Sequence, residues 1–294
     1  MTRRELFAKS LFGSLGLAGV TALGQDPKPD PKPFQGEDVF AKLLQRADAE
    51  KWVDLPIGER MGKIGMSLVE TPYVAFTLEL WTDREACIVN LKGLDCVTFF
   101  ETSLGFARML KKGGRTPRDL VREITLTRYR GGELGDYTSR LHYTSDWIFD
   151  NGEKGTVEVL APKLPGSERF TKPVSFMTEK PNLYRQLKAN PMLVPKIAAY
   201  ERAINARETY YVPIERIDEI EPLLRTGDIV GITGKQKGID CDHTGLCYRD
   251  DEGTLRFLHA GQSAKRVLLD KRLSEYLKGW ATGAMFARPI EPEK

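Results

Sequence analysis

The sequence predicts an α+β architecture, with helices in its N-terminal part and an antiparallel sheet in its last third. Two patterns carry this prediction. Apolar residues recur at helical spacing through Glu37–Trp52, through Ile57–Leu68 and after Asp95, where Val97, Phe100, Leu104 and Ala107 share a face. Beyond Thr226 the pattern changes to short apolar runs divided by turn residues, at Asp228–Thr233, His243–Tyr248, Thr254–His259, Lys265–Leu269 and Gly283–Ala287.

The first helices end at Thr71-Pro72-Tyr73, because proline disfavours helix in the residue before it. Strand-like or irregular chain is expected up to Leu94. Asp95 is a good N-cap for the next helix, and Gly113-Gly114 is its stop. A further helix is expected over Thr116–Glu123, followed by a loop at Arg130-Gly131-Gly132. Residues 156–226 mix strand-like pieces with an amphipathic helix near Asn182–Arg202 and are read as an elaboration of one unit spanning 37–294. A last helix is expected at Leu273–Leu277.

The N-terminus has the order of an export signal over residues 1–24. Arg3 and Arg4 precede a short Gly- and Ala-rich apolar stretch that closes on Ala22-Leu23-Gly24. Thr2-Arg3-Arg4-Glu5-Leu6-Phe7 resembles a twin-arginine signal, which predicts a periplasmic or envelope location. The stretch is too short and glycine-rich to remain as a membrane span. Residues 25–36, with Asp26–Pro33 alternating proline and charge, read as an extended tether. With 44 basic and 41 acidic residues and no basic run, the chain gives no reason to expect a nucleic-acid partner.

Three histidines occur: His142, His243 and His259. A regular hairpin centred on Asp251 places His243 and His259 directly opposite each other, on one face of the sheet. Cys96 follows the Asp95 cap, in the first helical turn, where the helix dipole favours a thiolate. A cysteine there, a neighbouring imidazole to carry its proton and a second imidazole to orient the first are the parts of a nucleophilic site. Alone, Cys96 would be read as a small buried hydrophobe, as Cys87 and Cys247 are. A rival set, Cys241, His243, Cys247 and His259, has zinc-ligand chemistry but lacks the C-x2-C spacing. Cys241 and Cys247 on one strand would lie roughly 20 Å apart, too far for a disulfide.

Leu94-Asp95-Cys96-Val97-Thr98-Phe99-Phe100-Glu101, Gly227-Asp228-Ile229-Val230, Asp242-His243-Thr244-Gly245-Leu246 and Phe257-Leu258-His259-Ala260 together resemble the signatures of the NlpC-type cell-wall cysteine peptidases. Arg128-Tyr129-Arg130-Gly131 and Arg140–Trp147 extend the resemblance to their N-acetylmuramoyl-L-alanine amidase-like branch. Thr244 stands where valine is usual. The resemblance implies a papain-like core with Cys96, His243 and His259 as catalytic triad. It also implies hydrolysis of a peptidoglycan amide, favouring the muramoyl–L-alanine bond, through a thioester and without metal or organic cofactor. Within Arg140–Trp147, Arg140 is a candidate for a stem-peptide carboxylate, and His142 and Tyr143 are candidates to line the cleft or hold an oxyanion. Tyr73 and Arg130 are further substrate-binding candidates. The alternatives are cleavage within the stem peptide, acyl transfer to another acceptor, and a catalytically silent cell-wall binding module.

Overall fold

The computed structural model describes residues 32–293, so the expected export signal and tether residues 25–31 lie outside the described chain. The rest of the tether is partly ordered. Phe34–Gln35 (β1) pairs in parallel with Val89–Asn90 (β2), and the Phe34 ring meets Phe40 edge-on at 6.0 Å. The proline–charge alternation ends at Pro33, and Phe34 is the first apolar side chain the segment can pack.

Four helices follow: α1 (Glu37–Ala49), α2 (Ile57–Ser67), α3 (Cys96–Lys111) and α4 (Pro117–Arg128). α3 is the core helix, with Phe99, Phe100, Leu104, Phe106 and Ala107 fully buried. It approaches α4 closely at Gly105, where an added Cβ would stand 2.6 Å from the Ile124 side chain. α4 runs past its expected end at Glu123 because Ile124, Thr127 and Arg128 continue its buried face. Two buried ion pairs tie the helices, Arg128–Glu101 at 2.8 Å and Arg108–Glu123 at 3.0 Å. α5 (Thr144–Glu153) is a helix where the sequence showed only a dense polar and aromatic run. Three polar residues open it, so its apolar periodicity is too short to read.

The middle of the chain contributes β3 (Val157–Val159), β4 (Glu168–Arg169), α6 (Phe176–Glu179), α7 (Arg185–Ala189), α8 (Val194–Ala206) and β5 (Tyr210–Pro213). The helix expected near Asn182–Arg202 is divided into α7 and α8 by a 3-10 turn at Pro191–Leu193. Proline lacks the N–H and clashes with the preceding turn, so one continuous helix cannot form. The strands β3 and β5 pair with the last strand of the chain, so this region builds onto the main sheet.

After α9 (Ile217–Ile220) come β6 (Ile229–Thr233), β7 (Cys241–Arg249), β8 (Leu255–Gly261), β9 (Arg266–Arg272), α10 (Leu273–Leu277) and β10 (Gly283–Pro289). The eight-stranded sheet has the order β4-β5-β10-β6-β7-β8-β9, with β3 also on β10, and its pairs are antiparallel. The fold is therefore α+β, with α3 packed on β7 and β8 through Phe99, Leu246 and Leu258. No helix among the described residues is long and apolar enough to cross a membrane.

The hairpin register differs from the expected one. Arg249 pairs with Leu255 and Asp250 N–H donates to the Thr254 carbonyl, which centres the turn on Glu252 instead of Asp251. Gly253, at φ 81°, supplies the left-handed position of that turn. His259 therefore lies across from Gly245, where an added Cβ would come within 2.8 Å of the His259 Cβ. His243 is its diagonal neighbour. The partner moves by two residues, which keeps both imidazoles on one face; a move of one would have separated them.

Candidate active site

Cys96 begins α3 and is 2% exposed. Asp95 caps the helix: its carboxylate accepts from Val97 N–H at 3.1 Å and Thr98 N–H at 2.9 Å, while Thr98 Oγ1 accepts from the Asp95 N–H at 2.8 Å. This capping box fixes the direction in which the first turn presents Cys96. Asp95→Ala is expected to lower stability by about 1–2 kcal/mol, measured as a lower denaturant midpoint. An unchanged midpoint would mean the cap does not hold the turn.

β7 delivers His243 beside an irregularity in its pairing with β6. Ile232 faces His243, but Thr233 faces Cys241, so Asp242 is an extra residue in the strand. Such a bulge re-aims the side chains next to it, and no hydrophobic pattern reveals it.

The imidazoles are joined in a chain. His243 Nε2 lies 2.7 Å from His259 Nδ1, and His259 Nε2 lies 3.3 Å from Asp270 Oδ2 on β9. An ionised carboxylate only accepts, so His259 Nε2 carries its proton and donates to Asp270. Neutral His259 then offers a bare Nδ1, to which His243 Nε2–H donates, leaving His243 Nδ1 as the acceptor for a further proton. The hydrogen bond from His259 holds the Asp270 carboxyl below the usual carboxylate range, so the anion persists as pH falls. His259 is fixed further by stacking on Phe257, with ring centroids 4.5 Å apart.

Two adjoining lobes form the cleft. The smaller, of about 40 Å³, is lined by Cys96, His142, Thr144, Asp240, Cys241, Asp242 and His243 among others. The larger, of about 830 Å³, is lined by Tyr73, His243, His259, Asp270, Tyr276 and Trp280 among others. The structure thus brings Cys96, His243 and His259 to one cleft. Of the substrate-binding candidates, His142 reaches the Cys96 lobe and Tyr73 the larger one.

The remaining candidates are occupied within the fold. Arg140 is 7% exposed, with Glu85 at 3.2 Å and Glu79 at 3.4 Å, so carboxylates of the chain itself hold the guanidinium. Arg130 pairs with Asp146 at 2.6 Å and lies over the Tyr200 ring at 3.8 Å. Tyr143 is buried and donates to Glu201 at 2.7 Å. His142 Nε2 donates to the Tyr137 carbonyl at 2.8 Å, which orients the ring at the edge of the Cys96 lobe.

The zinc alternative does not assemble. Cys241 packs with the cluster around α3, Cys247 is fully buried in the cluster around Phe257 and Phe286, and the intervening bulge separates them. Among the described residues no group of three His, Cys, Asp or Glu side chains could hold a metal ion. All four cysteines are free thiols. Burial pushes the thiols of Cys87, Cys241 and Cys247 up, and at Cys241 the neighbouring Asp240 and Asp242 add to it. None of the three is poised as a thiolate.

Sequence reading missed Asp270, Tyr276 and Trp280. Asp270 sits one residue past the expected end of its strand, and its role follows only from the register: His259 pairs with Leu268, making Asp270 the next diagonal neighbour. Tyr276 contacts both imidazoles, with its ring 4.9 Å from His259 and 6.2 Å from His243. Burial, then the charges of Asp270 and Cys96, raise its phenol pKa, which keeps it a hydrogen-bond donor.

Asp270 meets the imidazole pair through His259. Its anion favours a protonated imidazole, so Asp270→Asn is expected to make the base harder to protonate, moving the acidic limb of the pH–rate profile to lower pH, and to reduce kcat. A limb that stays in place would remove Asp270 from the chain.

Comparison with known proteins places this chain in a family. Residues 63–283 match the family described as AmiA-like, N-acetylmuramoyl-L-alanine amidase-like. A crystal structure of an N-acetylmuramoyl-L-alanine amidase from Bacteroides uniformis ATCC 8492 is similar at TM-score 0.73 and 31% identity, covering 80% of this chain and 99% of that one. A Bacteroides fragilis protein with a provisional xylanase name is similar at TM-score 0.70 and 34% identity, covering 77% and 99%. A protein of family DUF1460 from Legionella pneumophila str. Philadelphia 1 shares the fold at TM-score 0.64 and 18% identity, covering 88% and 96%. No curated protein matches the chain. The chain belongs to the N-acetylmuramoyl-L-alanine amidase-like family.

Proposed function

We propose that this protein is an exported cysteine amidase with a papain-like core of the NlpC type, which cleaves the bond between the muramoyl lactyl carbonyl and L-alanine in peptidoglycan fragments. The observation that carries the reading is the cleft in which Cys96, at the start of a buried helix, shares a lobe with His243, and His243 is relayed through His259 to Asp270. The family and the 31%-identical amidase supply the substrate class.

The chemistry follows from the tautomers. His243 Nδ1 accepts the Cys96 proton, and the helix dipole together with the new imidazolium stabilises the thiolate. The thiolate attacks the lactyl carbonyl carbon. When the C–N bond breaks, the imidazolium returns its proton to the leaving nitrogen of L-alanine, and a thioester remains on Cys96. His243 then takes a proton from water, whose oxygen attacks the thioester and releases the carboxylate and the thiol. His259 and Asp270 hold the imidazole throughout. The twin-arginine-like residues Arg3 and Arg4 support export to the compartment where such a wall polymer lies.

A second reading keeps the chemistry and moves the bond. Asp242 lines the Cys96 lobe, and a carboxylate suits the ammonium of a free peptide N-terminus, as in cleavage within a stem peptide. A glycosidase reading, raised by the xylanase name, requires a carboxylic acid with a raised pKa. Asp270 is shifted the opposite way. The test is mass spectrometry of muropeptides incubated with the protein. Release of the intact stem peptide beginning at L-alanine supports the amidase; shorter stem fragments transfer the assignment to an endopeptidase, and cut glycan to a glycosidase.

A further inference from the structure

Two walls of the Cys96 lobe come from distant parts of the chain. His142 and Thr144 belong to one, at the start of α5; Asp240, Cys241, Asp242 and His243 belong to the other, where the chain enters β7. Helix α5 has no local cap. Its N-cap residue, Tyr143, makes no capping hydrogen bond through its side chain, so the N–H groups of the first turn need acceptors from elsewhere. Asp240 supplies one from 95 residues away, its Oδ2 accepting from the Ser145 N–H at 2.6 Å. Its Oδ1 accepts from the Cys241 N–H at 2.7 Å. Building on the reading of Cys96 and His243 as nucleophile and base, we propose that Asp240 is a positioning residue for the reaction. Its carboxylate ties the two walls together and so sets the aim of His243 at Cys96.

The surroundings favour this role. Asp240 is 1% exposed, and a carboxylate buried so deeply is costly unless its oxygens are satisfied. Here each oxygen holds a different wall, and the charge lies at the positive end of α5. The walls also touch directly. At Gly231 on β6, an added Cβ would stand 2.7 Å from Thr144 Cγ2 and 2.9 Å from the Cys241 sulfur, so only a glycine leaves room for both.

The link to His243 is the bulge. Asp242 is the extra residue there, and His243 follows it directly. A bulge interrupts the ladder of hydrogen bonds, so the sheet alone does not fix the residues beside it. Asp240 anchors the strand two residues before that interruption. A cap that served only α5 would contribute to stability alone; a positioning residue must also alter the thiol–imidazole pair.

The test follows alkylation of Cys96 by iodoacetamide across pH, mapped by mass spectrometry, together with kcat and KM for muropeptide cleavage. Asp240→Asn keeps one accepting oxygen but turns an NH2 toward the other backbone N–H. It is expected to lower kcat about tenfold with KM nearly unchanged, and to slow alkylation at neutral pH by a similar factor. Asp240→Ala removes both acceptors and is expected to lose more; should it fail to fold, Asp240→Asn carries the decision. Thr116→Ala is the matched control. Thr116 caps the exposed start of α4, accepting from the Asp119 N–H at 3.2 Å, so its loss lowers the thermal midpoint without touching the lobe. Its kcat and alkylation rate are expected to be unchanged. An Asp240→Asn protein that loses only thermal stability, as Thr116→Ala does, overturns the proposal and leaves Asp240 a helix cap. A loss confined to KM overturns it as well. Alkylation needs no substrate, so it judges Asp240 even where the muropeptide is not cleaved. Equal alkylation of the unaltered protein and His243→Ala instead overturns the nucleophile–base reading, and the proposal with it.

Discussion

Cys96→Ala and Cys96→Ser are expected to reduce hydrolysis by roughly 10⁶-fold, the scale lost when the nucleophile of a comparable triad is removed. Both should leave the fold intact, because the Asp95 capping box, not the thiol, holds the first turn of α3. Cys87→Ser is the matched control. Cys87 is buried against Arg128, with its sulfur 3.8 Å from Nη1, and burial keeps it a thiol. Cys241→Ser is the more demanding control, since Cys241 lines the same lobe as Cys96. Its thiol is pushed well up by burial and by Asp240 and Asp242, so it should contribute no nucleophile. Near-normal turnover in either Cys96 variant, measured as muropeptide consumption, would end the assignment.

The two histidines are expected to behave differently. His243→Ala removes the group that carries the proton, and a loss of about 10²–10⁴-fold is expected from acid–base catalysis alone. It also removes the cation beside the thiolate, so thiol alkylation should slow at neutral pH. His259 accepts from the His243 N–H and donates its own N–H to the Asp270 carboxylate. His259→Gln can still accept and donate through its amide and should keep part of the activity, whereas His259→Ala should lose more. The Gln variant also retains more of the packing on Phe257, which guards against a trivial folding effect. Should His259→Gln prove as inactive as His243→Ala while His243→Gln retains activity, the order of the relay is reversed. Equal alkylation rates in all variants would mean that neither imidazole acts on the thiol.

Local signals made much of this fold legible. The 3.6-residue spacing and the Asp95 cap located α3, and the alternation of turn residues with short apolar runs located β6 to β10. What failed was everything set by long-range pairing. The turn centre moved from Asp251 to Glu252 because Asp250 and Thr254 close it, and apolar spacing alone could not distinguish the two. The bulge at Asp242 has no signature in composition. Asp270 and Trp280 acquire meaning only once β9 and α10 are laid beside β8. A guanidinium suits a carboxylate, which is what makes Arg140 a substrate-binding candidate in the sequence. Which carboxylate it meets depends on chain far away: Glu79 and Glu85 for Arg140, Asp146 for Arg130. His243 and His259 were recovered on one face despite the wrong register, because the shift was even.

The most direct measurement is the mass of the intact protein, acid-quenched during turnover of a disaccharide muropeptide of known composition. The central claim is that the Cys96 sulfur takes the lactyl carbonyl of the substrate and releases the peptide as an amine. The predicted result is an adduct with the mass of the saccharide–lactyl acyl group, mapped by proteolysis to the peptide containing Cys96 and absent from Cys96→Ala. An adduct carrying stem-peptide mass, or one on any other residue, would contradict it.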